Sequence, residues 1–596
     1  MKYLVLIFTC ISTNMFAQQI THGPIVGGVT EQSARVYIAT DVPTIFALQY
    51  ALDSTFITYE EVIGETYDST FLCSIVPVLG LTANNRYYYR IKMENQYFST
   101  ASFRTFPLKG EKGNYKIVAG SCNYNPGPGG GQNNPNYKND LMFQSMVDFN
   151  PNVVLHLGDW GYPPAELGAY YNTNPEKRAT SFKLRYKDYN FSTYLMPNIP
   201  IDYIYDDDYT QNGNAGWTYP VINEVPIGGG QMKYELKDIP LPTGVREGAV
   251  KGYFDNFPGY PQTDTGGIYH KFTLGNIEIF MLDTRGVKSP VHEPFKYNAL
   301  LNTYSFIPNQ AHSTLGRAQM DWLKEGLRNS TADWKLIVTG VVFNKKMNEL
   351  LPLVLAGQLI DRSLIEYAAT IAYMWGGYPK DLNELLSFIR NENVDNVIVV
   401  SGDTHSCMMD DGMNAGLPEI STSGWSASNE AYLNGTIDSL LSTLGLGIGV
   451  KDFLWNQGGN GVGNNNYNDA YTTLEFFGAD SMKACVIDEY LNVVSCMTIP
   501  AKSVPTGISF NTIDTEWCHL YPNPADKLLN VSVAVPYSKK ELKFVVLGVD
   551  GKQYHLPVSQ KDIGTYHLSI DGLSKGSYFL IIGADQQIAV KNFEKL

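Results

Sequence analysis

Short apolar segments that end in polar residues recur through the middle of the chain. Segments such as YKIVAG (115–120) and VVLHL (153–157) are too short for helices and read as buried strands. The predicted strands are 115–120, 153–157, 277–282, 335–339 and 397–400, and the predicted helices are about 140–149, 317–329 and 380–391. Buried strands with intervening helices indicate an α/β domain, in which functional sites form beyond the carboxyl ends of the strands.

Two β-rich regions flank this domain, as expected for a chain of 596 residues, which is too long for a single core. Residues 18–107 alternate short strands with turns and predict an N-terminal β-sandwich similar to fibronectin-type modules. Residues 513–596 contain a further run of short strands and predict a separate C-terminal β-sandwich. The α/β domain is assigned to residues 114–500.

The N-terminus predicts export. Lys2 precedes an apolar run over 4–11, and Ala17 is a small residue at the expected cleavage point, so residues 1–17 are interpreted as a signal peptide. The run is too short to span a bilayer, and no later transmembrane helix is evident. Cys485 and Cys496 flank a hairpin-like stretch, where a cross-strand disulfide and two free thiols both remain open.

The net charge of −15 limits the class of partner. An acidic surface repels nucleic acids and anionic membranes, so no nucleic-acid partner is expected. A phosphate-bearing substrate stays compatible with this charge because bound cations can invert the local field.

Acidic residues and a histidine directly follow the predicted strands. Asp159 stands behind Gly158, which lets the backbone approach closely, and Asp403 and His405 lie two positions apart after the strand VIVV. Such residues suit a metal site, and Tyr162 is near enough in sequence to reach the same ion. A turn aspartate and a hydrogen-bonded loop histidine remain the alternatives.

Two further segments carry unusual side chains. The run Asp206-Asp207-Asp208 groups three like charges, which repel one another unless cations neutralise them; a solvated acidic turn is the alternative. Cys122 follows a buried strand in GSCN, where an inert buried thiol is the alternative to a ligand. A thiolate, a phenolate and carboxylates on one cation would favour a Lewis-acidic metal such as ferric iron.

Taken together, these segments resemble the PhoD-like alkaline phosphatases, a branch of the two-metal phosphoesterases. The matching segments follow the family's order along the chain. They are HGPIVG (22–27), GSCN (120–123), LHLGDWGY (155–162), RYKDYN (185–190), PIDYIYDDDYTQN (200–212), IFMLDTR (279–285), LGRAQMDWLKEGL (315–327), MWGGYP (374–379), VVSGDTH (399–405) and EISTSG (419–424). The resemblance implies a four-layer-like metallophosphoesterase β-sandwich flanked by helices, and a hydrolase that acts on phosphoric esters.

The resemblance also implies a metal centre in which Fe³⁺ lies next to Ca²⁺. Asp159 would bridge the two ions, with Cys122 and Tyr162 on the iron and Asp206 on the calcium. The implied metal ligands are Cys122, Asp159, Tyr162, Asp206, Asp403 and His405.

Four other residues take roles from the same resemblance. Arg185 is a candidate catalytic contact to the phosphate, and Asp283 and Arg285 are interpreted as supporting the site. Asp207 stands at the catalytic position where the family usually has a histidine that stabilises or protonates the leaving oxygen. An aspartate would donate a proton there only with a raised pKa, which nearby cations oppose.

We predict that Asp207→His raises the rate of phosphomonoester hydrolysis, because it restores the expected proton donor. General acid catalysis is typically worth about 10²–10⁴-fold, and poor leaving groups depend on it most. Initial rates with an alkyl and an aryl phosphate measure the effect. An unchanged rate with the alkyl phosphate would contradict the role given to this position.

The C-terminal segment resembles a type IX secretion sorting domain over residues 516–596. The resemblance is carried by LYPNPA (520–525), DGK (550–552) and GSY (576–578). It implies that secretion machinery carries the protein across an outer membrane, after which it is released or attached to the surface. An ordinary accessory sandwich is the alternative.

Three functions follow from these observations. The first is an exported metal-dependent phosphoesterase, expected to be a monomer, that hydrolyses phosphate monoesters, diesters or both. The second is a phosphodiesterase acting on phospholipids, a cell-wall polymer or nucleotides. The third is a non-catalytic secreted binding or adhesion protein on a degenerate phosphatase fold, which the absent histidine favours and the retained ligand set opposes.

Overall fold

The computed structural model describes most of the chain after residue 17. The residues outside the description are 1–17, 99, 124–133, 135, 161–172, 207–217, 229–230, 265, 299–302, 356–361, 427–434, 436, 439–440, 443–448, 463–467, 502–517, 534–541, 549–551 and 585–586. The predicted signal peptide, Tyr162 and Asp207 therefore lie outside the described residues.

The N-terminal region is built from antiparallel strands. They are β1 (Ile20–Gly27), β2 (Ser33–Thr40), β3 (Thr44–Ala51), β4 (Glu60–Thr66), β5 (Cys73–Leu79), β6 (Arg86–Met93), β7 (Gln96–Tyr97) and β8 (Ala101–Arg104). One sheet has the order β1-β2-β5 and another the order β4-β3-β6-β7, with β8 on β6. Alternate residues of β6, such as Tyr89 and Ile91, are buried, as expected of strands with one face on a core. The likeness to fibronectin-type modules stays a prediction.

The central region combines strands and helices. Its strands are β9 (Asn114–Gly120), β10 (Val153–His156), β11 (Ile201–Tyr203), β12 (Thr218–Gly228), β13 (Gln231–Pro240), β14 (His270–Leu274), β15 (Ile277–Met281), β16 (Phe295–Asn298), β17 (Thr303–Phe306), β18 (Trp334–Thr339), β19 (Val397–Ser401), β20 (Met408–Asp410), β21 (Glu419–Ser421), β22 (Gly458–Gly459), β23 (Ala470–Phe477), β24 (Ser481–Asp488) and β25 (Val493–Pro500). Its helices are α1 (Asp140–Asp148), α2 (Pro175–Arg185), α3 (Val245–Asn256), α4 (Gly316–Asn329), α5 (Met347–Leu355), α6 (Arg362–Tyr373), α7 (Pro379–Asn391) and α8 (Val450–Phe453). This arrangement confirms the predicted α/β class, and the predicted elements are found to within one residue.

Two mixed sheets form the centre of this region. One has the order β11-β10-β9-β23-β24-β25, and the other has the order β14-β15-β18-β19-β21-β20-β22. Strands β9, β10 and β11 run parallel in the first sheet, and β15, β18, β19 and β21 run parallel in the second. Strands β10, β18 and β19 are buried along their whole length, which explains their largely apolar sequences. Their carboxyl ends carry the candidate ligands.

Helices α4 and α7 are amphipathic. The buried residues of α4 include Met320, Leu323 and Leu327, whose spacing of three and four places them on one face. The same spacing recurs in α7 with Leu382 and Leu385. None of the helices in the described parts of the chain combines the length and the apolar character that spanning a bilayer requires.

A disulfide joins Cys485 of β24 to Cys496 of β25. The two residues are directly paired across the antiparallel strands, with Cα atoms 4.2 Å apart. Of the two possibilities that the sequence left open, the cross-strand disulfide is therefore the one found.

The regular elements among the described residues of the C-terminal region are antiparallel strands. They are β26 (Cys518–Tyr521), β27 (Leu528–Val533), β28 (Leu542–Gly548), β29 (Gln553–Tyr554), β30 (Val558–Asp562), β31 (Thr565–Ser569), β32 (Gly576–Ala584) and β33 (Gln587–Lys595). They form the sheets β26-β27-β31-β30 and β29-β28-β32-β33. An apolar cluster that includes Leu529, Leu568 and Leu580 stabilises them.

A buried ion pair fixes β11, the strand that leads to Asp206. His270 Nε2 donates to Asp202 Oδ2 at 2.8 Å, and Nδ1 donates to the carbonyl of Ile268 at 2.8 Å. A carboxylate and a carbonyl only accept, so the ring carries both protons. Burial lowers the pKa of His270, but the charge of Asp202 and these hydrogen bonds outweigh it and leave the pKa above its usual value.

We predict that His270→Gln lowers the free energy of unfolding by about 2 kcal/mol in acid, the range for a hydrogen bond to a charged group. Because the folded pKa lies above the unfolded value of 6.5, this stabilisation is fully present below pH 6.5. It is lost as the pH rises through the folded pKa. Denaturant unfolding of both proteins across this pH range measures the difference, and a difference that grew towards alkaline pH would contradict the ion pair.

Candidate metal centre

The candidate ligands converge where the strands of the two sheets end. Single ligand atoms of Cys122, Asp159 and His405 lie within 4.8 Å of one another, as do single ligand atoms of Asp159, Asp206 and Asp403. Asp159 belongs to both groups. We call these the thiolate group and the carboxylate group. Five of the six ligands implied by the sequence are thus brought together, and the sixth, Tyr162, lies outside the described residues.

Four of these residues share an uncommon backbone conformation. Cys122 has a φ of 57°, Asp159 of 58°, Asp403 of 74° and His405 of 52°. A left-handed conformation costs a residue other than glycine about 1–3 kcal/mol, and such residues cluster at functional sites. Because of this cost, contacts with surrounding residues have to hold the loops in this conformation.

Hydrogen bonds between the loops supply those contacts. The backbone N–H of Cys122 donates to Gly158 O at 3.2 Å. Ser423 Oγ accepts from the backbone N–H of His405 at 2.9 Å and donates to Cys122 Sγ at 3.1 Å. The loops after β9, β10, β19 and β21 are therefore bonded to one another.

Gly158 allows the closest approach in the site. Its φ is +109°, and a Cβ built there would lie 2.3 Å from Asp206 Cβ and 2.6 Å from Asp206 N. Only glycine combines this conformation with this contact. The Gly-Asp sequence after β10 thus brings Asp159 against Asp206.

The Cys122 thiol is completely buried in the thiolate group. Its Sγ lies 3.5 Å from Asp159 Oδ2. Burial, followed by the charges of Asp159 and Asp403, raises the pKa of Cys122 well above its usual range, against smaller lowering effects of hydroxyl hydrogen bonds. A thiolate would form here only beside a cation, and a ligand thiol is deprotonated by its metal.

Arg285 lies against the carboxylate group. It is fully buried, and its Nε donates to Asp206 Oδ1 at 2.7 Å, while Nη2 donates to the same oxygen. Nη2 also lies 3.9 Å from Asp403 Oδ2. Asp283 holds the loop by accepting the backbone N–H of Arg285 at 3.0 Å. From the sequence, Arg285 was interpreted as a residue that supports the site. The structure shows it in direct contact with Asp206, a candidate ligand.

Two residues near the carboxylate group, Tyr373 and Lys288, were not predicted from the sequence. The hydroxyl of Tyr373 donates to Asp403 Oδ2. Lys288 is buried, and its pKa is lowered well below the usual value by burial and by Arg285, partly offset by Asp206 and Asp403. Tyr373 immediately precedes the quoted segment MWGGYP, which was the one available signal.

His156 supports the loops from behind as a neutral ring. Gly158 N donates to its Nδ1 at 3.3 Å, so the proton is on Nε2, which donates to Asn123 Oδ1 at 2.8 Å. Complete burial, and then the charge of Arg185, lower the pKa of His156 well below its usual range. The uncharged ring suits its stacking on Trp160, with centroids 5.1 Å apart.

Arg185 and Asp207 are the two catalytic candidates from the sequence. Arg185 ends α2, is buried and donates to Ser181 Oγ. Its contact with a phosphate stays a prediction. Asp207 lies outside the described residues, so its role also stays a prediction.

Comparison with known proteins agrees with this geometry. Residues 130–430, just over half of the chain, match the family described as PhoD-like phosphatase. The chain belongs to this family. Alkaline phosphatase D of Bacillus subtilis (strain 168) is 24% identical over an alignment that covers 55% of this chain and 52% of that protein. The alignment thus spans about half the length of this curated relative.

One solved structure shares the fold of this chain, and a second is reported beside it. The structure titled "Structure of PhoD" has a TM-score of 0.55 and 18% identity, and the match covers 82% of this chain and 93% of that one. Purple acid phosphatase PPD1 from yellow lupin (Lupinus luteus) matches with a TM-score of 0.46 and 11% identity, over 80% of this chain and 74% of that one.

The C-terminal region matches a second family. Residues 519–594 match the secretion system C-terminal sorting domain. This match confirms the predicted type IX sorting domain, which indicates delivery to the cell surface or the extracellular space.

Proposed function

We propose that this protein is an exported metal-dependent phosphoesterase that hydrolyses phosphate monoesters, diesters or both. The observation that carries the proposal is the position of Asp159, which belongs to both ligand groups. A carboxylate shared between two ligand groups suits a bridge between two cations, the arrangement that phosphoester hydrolysis commonly uses.

The donor atoms of the two groups fit two different metals. The thiolate group offers sulfur, nitrogen and oxygen, which suit a transition metal, and we assign Fe³⁺ to it together with Tyr162. The carboxylate group offers oxygen alone, which suits Ca²⁺. Bound cations in such a site neutralise phosphoryl oxygens and activate water.

A buried arginine prepares the site for an anionic ester. Arg285 donates to Asp206 from two nitrogens, so the carboxylate group keeps part of its charge balance within the protein. We assign Arg185 to the phosphate and Asp207 to the leaving oxygen. The donors around the carboxylates are already oriented, which lowers the cost of reorganisation when substrate binds.

Metal analysis with ester assays tests this function. We expect two metals per protein, with iron and calcium, and turnover of aryl phosphate monoesters or diesters that a calcium chelator removes and added Ca²⁺ restores. Turnover of diesters alone would favour the phosphodiesterase. A protein that bound no metal after loading and turned over neither ester would be the binding or adhesion protein.

The flanking domains take supporting roles in this proposal. We assign a fibronectin-like sandwich to residues 18–107 and a sandwich to residues 513–596, which the secretion machinery would engage. The proposed substrate is a phosphate ester outside the cytoplasm, and the proposed active form is the monomer.

A further inference from the structure

Tyr373 joins helix α6 to the carboxylate group. It is the last residue of α6, is 4% exposed, and its hydroxyl donates to Asp403 Oδ2. We propose that Tyr373 is a positioning residue, which fixes the Asp403 carboxylate for cation binding. This inference rests on the function proposed above.

Two basic side chains lie over the ring of Tyr373. The guanidinium carbon of Arg285 lies 5.0 Å from the ring centroid, and Nζ of Lys288 lies 5.2 Å from it. The face of an aromatic ring attracts a positive charge, so the buried guanidinium of Arg285 stabilises the ring in this position. A ring held in this way presents its hydroxyl in one direction.

Asp206 and Asp403 take their main oriented donors from different residues. Asp206 Oδ1 accepts from both Nε and Nη2 of Arg285. The nearest approach of that guanidinium to Asp403 is 3.9 Å, which is beyond hydrogen-bond length. Asp403 instead accepts the Tyr373 hydroxyl.

The backbone of Asp403 is held independently of its carboxylate. Its φ of 74° is strained for an aspartate, and its backbone N–H donates to Ser121 Oγ at 3.3 Å. These features fix the main chain and leave rotation of the side chain to be limited by Tyr373. Partners that orient metal ligands typically contribute about 10–100-fold to affinity.

The variant Tyr373→Phe isolates the hydroxyl, because it keeps the ring and its contacts with Arg285 and Lys288. We expect the affinity for Ca²⁺, measured by titration calorimetry on the iron-loaded protein, to fall by about 10–100-fold. Iron content and the thiolate-to-metal absorption band should stay unchanged, because the thiolate group contains no atom of Asp403. A merely structural role would not separate the two metals in this way.

Tyr378→Phe is the matched control. Tyr378 is also buried and close in sequence, but its hydroxyl donates to the carbonyl of Ser289 at 2.8 Å. We expect its Ca²⁺ affinity to equal that of the wild type. The same comparison in the Asp403→Asn background should show no further loss on adding Tyr373→Phe, because the hydroxyl acts through that carboxylate.

Each outcome separates this inference from the proposed function. If the wild type binds both metals and hydrolyses esters while Tyr373→Phe keeps its Ca²⁺ affinity, the positioning role alone is overturned. Equal loss of both metals, or an additive effect in the Asp403→Asn background, would also overturn it. A wild type that binds neither metal would overturn the proposed function itself.

Discussion

Asp159→Ala should abolish metal loading at both groups and reduce phosphoester hydrolysis by about 10³-fold or more. Asp159 is the one residue that belongs to both ligand groups among the described residues, so its loss removes a ligand from each. Bound cations supply several kcal/mol of transition-state stabilisation, and each 1.36 kcal/mol corresponds to about tenfold in rate. Elemental analysis and initial rates of the same preparation measure both effects.

A second variant separates the charge of Asp159 from its backbone. Its φ of 58° suits asparagine better than alanine, so Asp159→Asn keeps the loop while removing the carboxylate. We expect this variant to lose the stabilisation that metal gives the wild type, which is about 2.7 kcal/mol when the free metal is at 100 times its Kd. Asp410→Ala is the control, because Asp410 is buried but accepts backbone N–H groups, such as that of Gly412 at 2.8 Å. Full activity in Asp159→Ala would overturn the bridging role.

The strand ends of the site were predictable from local sequence. The runs before Cys122, Asp159 and Asp403 are largely apolar because β9, β10 and β19 are mostly buried parallel strands of the two mixed sheets. A polar residue directly after such a run has to lie at the sheet edge. Strand length and burial pattern are local properties, so sequence alone could place these residues on one edge.

The partners of those residues were not predictable in the same way. Ser423 bonds to Cys122 across 301 positions, and Tyr373 reaches Asp403 from the end of helix α6. These contacts depend on how loops and helices pack over the sheets, and no periodicity in the sequence carries that information. Arg285 was noticed because its segment matched the family, but its direct bond to Asp206 required the fold.

A residue that is not a candidate ligand stabilises the grouped carboxylates of the site. Asp159, Asp206 and Asp403 are grouped carboxylates, and grouping them costs free energy through mutual repulsion. Arg285 offsets part of this cost as a buried cation. The segment that carries Arg285 therefore stabilises the site although it holds none of the candidate ligands.

Gly158→Ala should both destabilise the protein and disrupt the carboxylate group. At a φ of +109° an added Cβ would meet Asp206 Cβ at 2.3 Å, so conformational strain and overpacking act together. Each is worth about 1–3 kcal/mol, which predicts a loss of about 2–6 kcal/mol in the free energy of unfolding. The Asp206 backbone has to move away from Asp159, so Ca²⁺ affinity should fall with stability.

Gly110→Ala is the matched control, because Gly110 has a φ of +83° and a Cβ added there would meet nothing within 4 Å, so it reports the strain without the clash. Denaturant unfolding and calcium titration of both variants distinguish the two contributions. Equal losses in the two variants would show that the approach of Gly158 to Asp206 does not shape the site.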